Sequence, residues 1–164
     1  MTEQTPMIDG AATGPVLTLQ AVYLKDCSFE APQGPRVGAD WNPQIGLDLQ
    51  TASTLLEGDL REVVLTVTVS ASQNEKTLFL VEVKQAGAFL MQNLGEPELR
   101  RAVASICPGV LFPYARAVVS QLVSQGGFPQ MLLPPVNFDA LYENATAQAA
   151  AQAAGDMPGS SLPN

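Results

Sequence analysis

Residues Leu111–Gly127 read LFPYARAVVSQLVSQGG, and the fold turns on how this segment is read. Both ends carry helix signals. Pro113 suits a first helical turn, where its missing N–H costs nothing. Gly126 and Gly127 suit the end, where left-handed backbone is wanted. Ala115, Val118, Val119, Leu122 and Val123 recur at i, i+3, i+4, i+7 and i+8, which gives one apolar face. The opposite face holds Ala117, Ser120 and Ser124, and the only charge in the segment is Arg116. Small uncharged residues let another backbone approach closely. The pattern predicts a helix packed on two sides, against its own sheet and against a neighbour such as a second subunit. The alternative is an ordinary amphipathic helix with a bland outer face.

Upstream, Glu96–Ile106 reads as a first helical piece opened by acids that suit the helix dipole. Cys107-Pro108-Gly109 is expected to interrupt it. Downstream, residues 126–138 read GGFPQMLLPPVNF. The prolines forbid a regular helix and disfavour a central strand. Phe128, Met131, Leu132, Leu133, Val136 and Phe138 therefore sit in loop-like backbone, either as an adaptable binding segment or as a lid on the core. Asn137 is a candidate N-cap for a second main helix. That helix starts amphipathic, with Phe138, Leu141, Tyr142 and Ala145, and ends as an Ala/Gln run with little to bury.

The first half of the chain reads as strands. In Val16–Phe29, Leu17, Leu19, Ala21 and Tyr23 alternate with Thr18, Gln20, Val22 and Leu24. Asp26 and Glu30 near its end fall on one side. A loop follows, punctuated by Pro32, Gly34, Pro35 and Gly38, with the lone tryptophan, Trp41, at its close. Trp41 reads as a core anchor or, beside Pro43 in a loop, as a ligand-facing surface. Ile45, Leu47 and Leu49 alternate with polar residues as a one-faced strand. Thr51–Asp59 is mixed, with Gly58 and Asp59 as turn formers. Leu60–Ser70 is the strongest strand pattern, and Ser72–Lys76 a polar hairpin turn. In Thr77–Phe89, Phe79, Val81 and Val83 share one face, and Leu80 sits beside Glu82 on the other. Gly87 is expected to weaken or bulge this strand. Four strands joined in series, then helices, predict an α+β fold: a four-stranded antiparallel sheet with two main helices on one face. Residues 16–154 form the expected domain, between disordered tails at 1–15 and 155–164.

Composition excludes several functions. Sixteen acidic residues against eight basic ones give a net charge of −8, which repels nucleic-acid phosphates and suits a basic partner. The chain has no histidine, which removes Ser-His-Asp and Cys-His catalysis and the commonest metal ligand. Cys27 and Cys107 form no CxxC pair and read as buried, inert thiols. There is no phosphate-binding GxxxxGK[ST] loop, so no ATP site, cofactor or metal is expected, and an enzyme is disfavoured. No N-terminal leader pattern and no apolar run of membrane-spanning length are evident, which points to the cytoplasm.

Several strings carry a family resemblance. Tyr23-Leu24-Lys25-Asp26-Cys27-Ser28-Phe29-Glu30-Ala31-Pro32 resembles the YxKDxSFEAP segment of the SecB protein-export chaperones. Asp40-Trp41-Asn42-Pro43 resembles their DWxP, Glu62-Val63-Val64-Leu65 their EVVL, and Leu111-Phe112-Pro113-Tyr114-Ala115-Arg116 their LFPYAR. Pro135-Val136-Asn137-Phe138-Asp139-Ala140-Leu141-Tyr142 resembles their PVNFxALY. These matches run in family order from about Val16 to Tyr142. The segment Gln92–Ala104 and both termini match no family motif.

The resemblance implies a homotetramer built as a dimer of dimers, with the long helix between dimers, at Ala117, Ser120 and Ser124. It implies an ATP-independent chaperone that keeps unfolded preproteins translocation-competent and hands them to the SecA motor. Carried over by position, SecA would dock on Asp26, Glu30, Leu80 and Glu82, through its basic, zinc-binding tail. Clients would bind a groove between sheet, loop and second helix: Trp41, Ile45, Leu47, Leu49, Phe128, Met131, Leu133, Phe138 and Tyr142. Two competing readings are a single-client chaperone on the same fold, for example for an antitoxin, and a carrier of small apolar ligands.

Overall fold

The computed structural model of the protein describes residues 14–155. The expected tails at 1–15 and 155–164 lie outside the described residues, apart from residues 14, 15 and 155. Four strands, β1 (Val16–Glu30), β2 (Gln44–Leu55), β3 (Leu60–Gln73) and β4 (Lys76–Gln92), form one antiparallel sheet in the order β1-β4-β3-β2. Three helices follow: α1 (Glu96–Arg101), α2 (Cys107–Gln125) and α3 (Phe138–Gly155). The tight β2–β3 and β3–β4 turns force those strands into neighbouring hairpins. The long connection after β1 frees it to pair with β4 instead. The most apolar strands, β3 and β4, are thereby central. Val63, Leu65, Val67 and Val69 of β3 and Val81 and Val83 of β4 are fully buried under α2.

The alternation in β1 breaks twice. Its register against β4 shifts between Leu19 and Ala21 and again between Leu24 and Asp26. Each bulge adds a residue and reverses which face the following side chains take. So Leu17 and Leu19 pack inward, then Val22, then Phe29, while Ala21 and Tyr23 turn to the outward face. An unbroken alternation would have kept all four of Leu17, Leu19, Ala21 and Tyr23 together. β2 also extends beyond Leu49 to Leu55; its Thr, Ser and Ala residues suit an edge strand but hide the apolar period.

Gly87 does not bulge β4. It pairs in register with Val22 and Val63. Its lack of a side chain serves packing: a Cβ there would stand 2.7 Å from the Phe89 ring and 3.0 Å from a Leu111 methyl. The glycine lets α2 lie close on the sheet.

The long helix differs most from expectation. Pro113 lies inside α2 rather than opening it, and Cys107-Pro108-Gly109 causes no break. α1, a π-helical stretch at Ala102–Ile106 and α2 run on as one helix of 30 residues, Glu96–Gln125. In the π-helical stretch the Cys107 N–H bonds to the Ala102 carbonyl, five residues back. Pro108, which has no N–H to give, sits where the ladder returns to its ordinary spacing. A missing donor costs least at such a change of register. The helix is long and apolar enough by composition to cross a membrane. Its apolar side, with Leu111, Ala115, Val119 and Val123, is instead the protein core. At its end Gly127 takes the left-handed conformation, φ +82°, while Gly126 remains right-handed beneath the Phe29 ring, which a Cβ would strike. Asn137 caps α3 as expected: its side-chain oxygen accepts the Ala140 N–H at 3.0 Å. Beyond Tyr142, α3 is exposed on all sides.

Gly87→Ala should overpack this contact, because both neighbours are themselves buried. A loss of about 1–3 kcal/mol is expected, read as a lower midpoint in thermal or urea unfolding. An unchanged midpoint would mean that α2 does not need the close approach.

Candidate functional site on two faces of the sheet

α2 packs over β4, β3 and β1, whereas β2 meets chiefly the π-helical stretch. The helix-side face of β2 is therefore only partly roofed. Ile45, Leu47 and Leu55 on that face remain 45%, 39% and 58% exposed, and Leu49 is half-buried against the core. At one end of this strip stands an aromatic cluster. Trp41 lies 5.9 Å from Phe128, and Phe128 lies 5.0 Å from Phe79. Trp41, Pro43, Ile45, Phe79 and Met131 enclose a cleft of about 130 Å³ there. At the other end a larger cleft, about 360 Å³, is lined by Ser53, Arg61, Leu99, Val103 and Tyr142. Ile45 and Ser53 are eight residues apart on β2, which in extended chain is about 27 Å. The two clefts and the strip between them form a groove long enough for a short extended peptide.

Of the residues expected in a client groove, Trp41, Ile45, Leu47, Leu49, Met131 and Tyr142 have accessible surface. Phe128, Leu133 and Phe138 are buried and back the groove from within the core. Phe138 lies against Phe112 at 5.8 Å, ring edge to ring face. Spacing could not separate these sets, because the proline-broken loop has no period. Leu55, Leu99 and Val103 extend the groove and escaped the sequence reading. The end of β2 was hidden, and Gln92–Ala104 carries no family motif.

The outward face carries the charged surface. Glu30 pairs across the strands with Leu80, Ser28 with Glu82, and Asp26 with Lys84. Asp26, Glu30, Leu80 and Glu82 are thus brought into one patch, with Leu80, 36% exposed, beside Glu30 at one end of it. Lys84, on the same face of β4, pairs with Glu82 at 3.7 Å. Register adds one residue that sequence alone did not join to the patch: Asp48, in the row of Glu82 through Thr68. The strand order β4-β3-β2 was the missing information.

Further along the same face, Glu62 is 9% exposed, although it lies on the side away from the helices. The Tyr23 hydroxyl donates to one of its oxygens and Lys25 Nζ to the other at 2.5 Å. These donors, Lys25 first, hold the Glu62 carboxyl below its usual range. Glu62 in turn pushes the Tyr23 hydroxyl up to about 12. The network bridges β1 to β3 across Ala86 and Ala88 of β4, which are buried. Both donors come from the family-like segment of β1, but their partner could not be read from spacing.

On α2, Ala117 and Ser124 are exposed and Ser120 half-buried, in a stripe continued by Ile106, Val110, Tyr114 and Gln121. The stripe has no charge, and its end near Ile106 is apolar. Arg116, the segment's charge, bends aside to donate to the Leu133 carbonyl at 3.5 Å. Cys107 is buried, with its thiol pushed up to about 12 by burial, but Cys27 is exposed on the edge strand, contrary to expectation. Among the described residues no cluster of Cys, Asp or Glu is placed to hold a metal.

The comparisons with known proteins point one way. A family model described as preprotein translocase subunit SecB matches residues 10–149. The protein-export protein SecB of Pseudomonas fluorescens SBW25 is 46% identical over 143 residues, covering 87% of this chain and 90% of its own. That of Pseudomonas paraeruginosa PA7 is 46% identical over 162 residues, covering 96% and 97%. A solved SecB-like chaperone of Mycobacterium tuberculosis, in complex with a ChAD peptide from an antitoxin, has the same fold. It superposes with a TM-score of 0.64 at 16% identity, over 73% of this chain and 90% of its own.

Because the Glu62 carboxyl titrates below its ordinary value of 4.5, its stabilising effect is complete above that pH and lost as pH falls through the depressed value. The melting temperature of the natural chain should exceed that of Glu62→Gln near about pH 7, and the gap should shrink below about pH 4. A gap independent of pH would show that the ionised form contributes nothing.

Proposed function

The chain belongs to the SecB family, and from that premise we propose that it is an ATP-independent chaperone that holds unfolded preproteins and delivers them to SecA. The partly roofed face of β2 carries this reading. It offers apolar surface that only an unfolded partner can match, since a folded protein hides its own. Each Å² of apolar area removed from water contributes about 25 cal/mol, so a few side chains in the groove suffice without sequence-specific contacts. Trp41, Ile45, Leu47, Leu49, Met131 and Tyr142 make the contacts, and Phe128, Leu133 and Phe138 keep the floor in place. Binding the unfolded state delays folding by mass action. Nothing in this requires nucleotide hydrolysis, and the chaperone role needs no catalytic residue.

Delivery falls to the opposite face. Asp26, Glu30, Leu80 and Glu82 present acids around one apolar side chain, a surface suited to the basic tail of SecA. Exposed ion pairs contribute about 0.2–1 kcal/mol each, so useful affinity needs several pairs together with Leu80. A homotetramer supplies repeats of the patch. The uncharged outer stripe of α2, including Ala117, Ser120 and Ser124, is the surface on which two dimers meet. The unit that does this spans residues 16–154 and works in the cytoplasm. Clients on one face and SecA on the other can be engaged together.

Dilution of a slow-folding preprotein from denaturant should stall in the presence of about one equivalent of the tetramer without ATP, while the folded preprotein should not bind. Unimpeded refolding of several unrelated clients would overturn the general chaperone reading. Glu82→Lys should weaken binding of the SecA tail at least severalfold and flatten its salt dependence, with client holding retained. Equal tail affinity in the variant would remove the proposed docking surface.

A further inference from the structure

Trp41 stands between two clefts. On one side lies the apolar cleft of the groove, with Ile45, Phe79 and Met131. On the other lies a polar cleft of about 210 Å³, with Arg36, Asp40, Gln73 and Lys76 in its wall. The loop that carries the indole, residues 31–43, belongs to neither flanking strand, and Pro43 has no N–H with which to tie its end. A side chain from elsewhere holds it. Gln73 Nε2 donates to the Asp40 carbonyl at 2.8 Å, and Gln73 Oε1 accepts the Asn42 N–H at 3.0 Å. One amide thus bonds the backbone on both sides of Trp41, the pair of groups that a neighbouring parallel strand would take. The Asp40 carbonyl needs a donor and the Asn42 N–H an acceptor, so the two partners also fix which way the amide points. The N–H of Trp41 itself goes to the Gly38 carbonyl, within the loop, at 3.3 Å.

Gln73 is the last residue of β3, on the helix side with Ala71, and it pairs with Lys76 across a two-residue turn. Asn74 and Glu75 in that turn both take positive φ, +52° and +62°, the backbone that matches the twist of a tight hairpin. The clamp is thus built on the sheet, not on the loop it holds. We propose that Gln73 is a positioning residue of the client groove: through the two backbone groups beside Trp41 it holds the indole as a wall of the apolar cleft, so that an unfolded segment meets a formed surface. This rests on the groove reading above and deepens it. Gln73 lines the polar cleft and not the apolar one, so its effect reaches the client through Trp41. Both bonds are open to solvent, and their weight falls less on the stability of the whole chain than on the fraction of molecules with the loop in place. Apparent affinity for a client falls in proportion to that fraction.

Trp41 is the only tryptophan of the chain, so its fluorescence reports this wall directly. The test compares the natural full chain with Gln73→Met, which keeps the length and volume of the side chain without its amide, and with Gln73→Glu, which keeps an acceptor for Asn42 and loses the donor to Asp40. In Gln73→Met the emission should move to longer wavelength and acrylamide should quench it more readily, while the unfolding midpoint by circular dichroism stays near that of the natural chain. Binding of a fluorescein-labelled, tryptophan-free protein, kept unfolded by reduction and alkylation of its cysteines, should weaken about two- to tenfold, the range of one net hydrogen bond. Gln73→Glu should fall between the two. Unchanged emission and quenching in Gln73→Met overturn the clamp, because Met would replace a residue that only fills space. A freed indole with unchanged client affinity overturns the positioning role. Should Gln73→Met fail to fold, Gln73→Glu against the natural chain decides on the same readouts. If the natural chain binds no unfolded protein, the groove reading falls and the positioning role with it, while emission and quenching still decide the clamp.

Discussion

One helix cannot roof a four-stranded sheet, and the rest of this molecule follows from where it is laid. α2 rests on β3, β4 and β1, seated closely because Gly87 leaves room for Leu111. That contact buries the central valines and fixes the core. It also leaves β2, an edge strand with Ile45, Leu47 and Leu55 on its helix side, without a full cover. A second roofing helix would bury this strip. α3 does not supply that roof, because Phe138 is its one buried side chain.

An exposed apolar strip on an edge strand is ordinarily a route to aggregation. Several features counter it. The chain's charge of −8 repels other copies at long range. The strip is interrupted by Thr51 and Ser53 and ends at two arginines, so it is less uniform than an amyloid-forming edge. The opposite edge strand, β1, is interrupted by two bulges. The outward face is polar around Leu80, with Glu30, Ser70 and Glu82 beside it, while the helix-side face is apolar. The apolar strip on β2 and the acidic patch around Glu82 are kept apart by the thickness of one sheet.

Much of this was legible in the sequence, and the failures have definite causes. β3 and the β3–β4 hairpin could be read because apolar period and turn chemistry agree there. The acid patch could be assembled from Asp26, Glu30, Leu80 and Glu82 through resemblance, yet Asp48 could not join it without the strand order. β1 misled because two bulges reverse its faces, and a bulge leaves no mark on composition. The long helix misled because Pro108 and Pro113 are ordinary stop or start signals. A π-helical register change and strong packing of Leu111, Phe112 and Ala115 carry the helix through them. The groove was half legible. Its aromatic end sits in family-like motifs, while its arginine end lies partly in the stretch that matches none.

Methyl NMR of the Ile, Leu, Val and Met groups, recorded while an unfolded client is added without nucleotide, tests the central claim most directly. The account predicts that the resonances of Ile45, Leu47 and Met131 move together, while those of Val67 and Val81 beneath α2 hold their positions and Leu80 on the far face is undisturbed. Shifts confined to the Leu80 face or to the outer stripe of α2, with Ile45 and Leu47 silent, would contradict it.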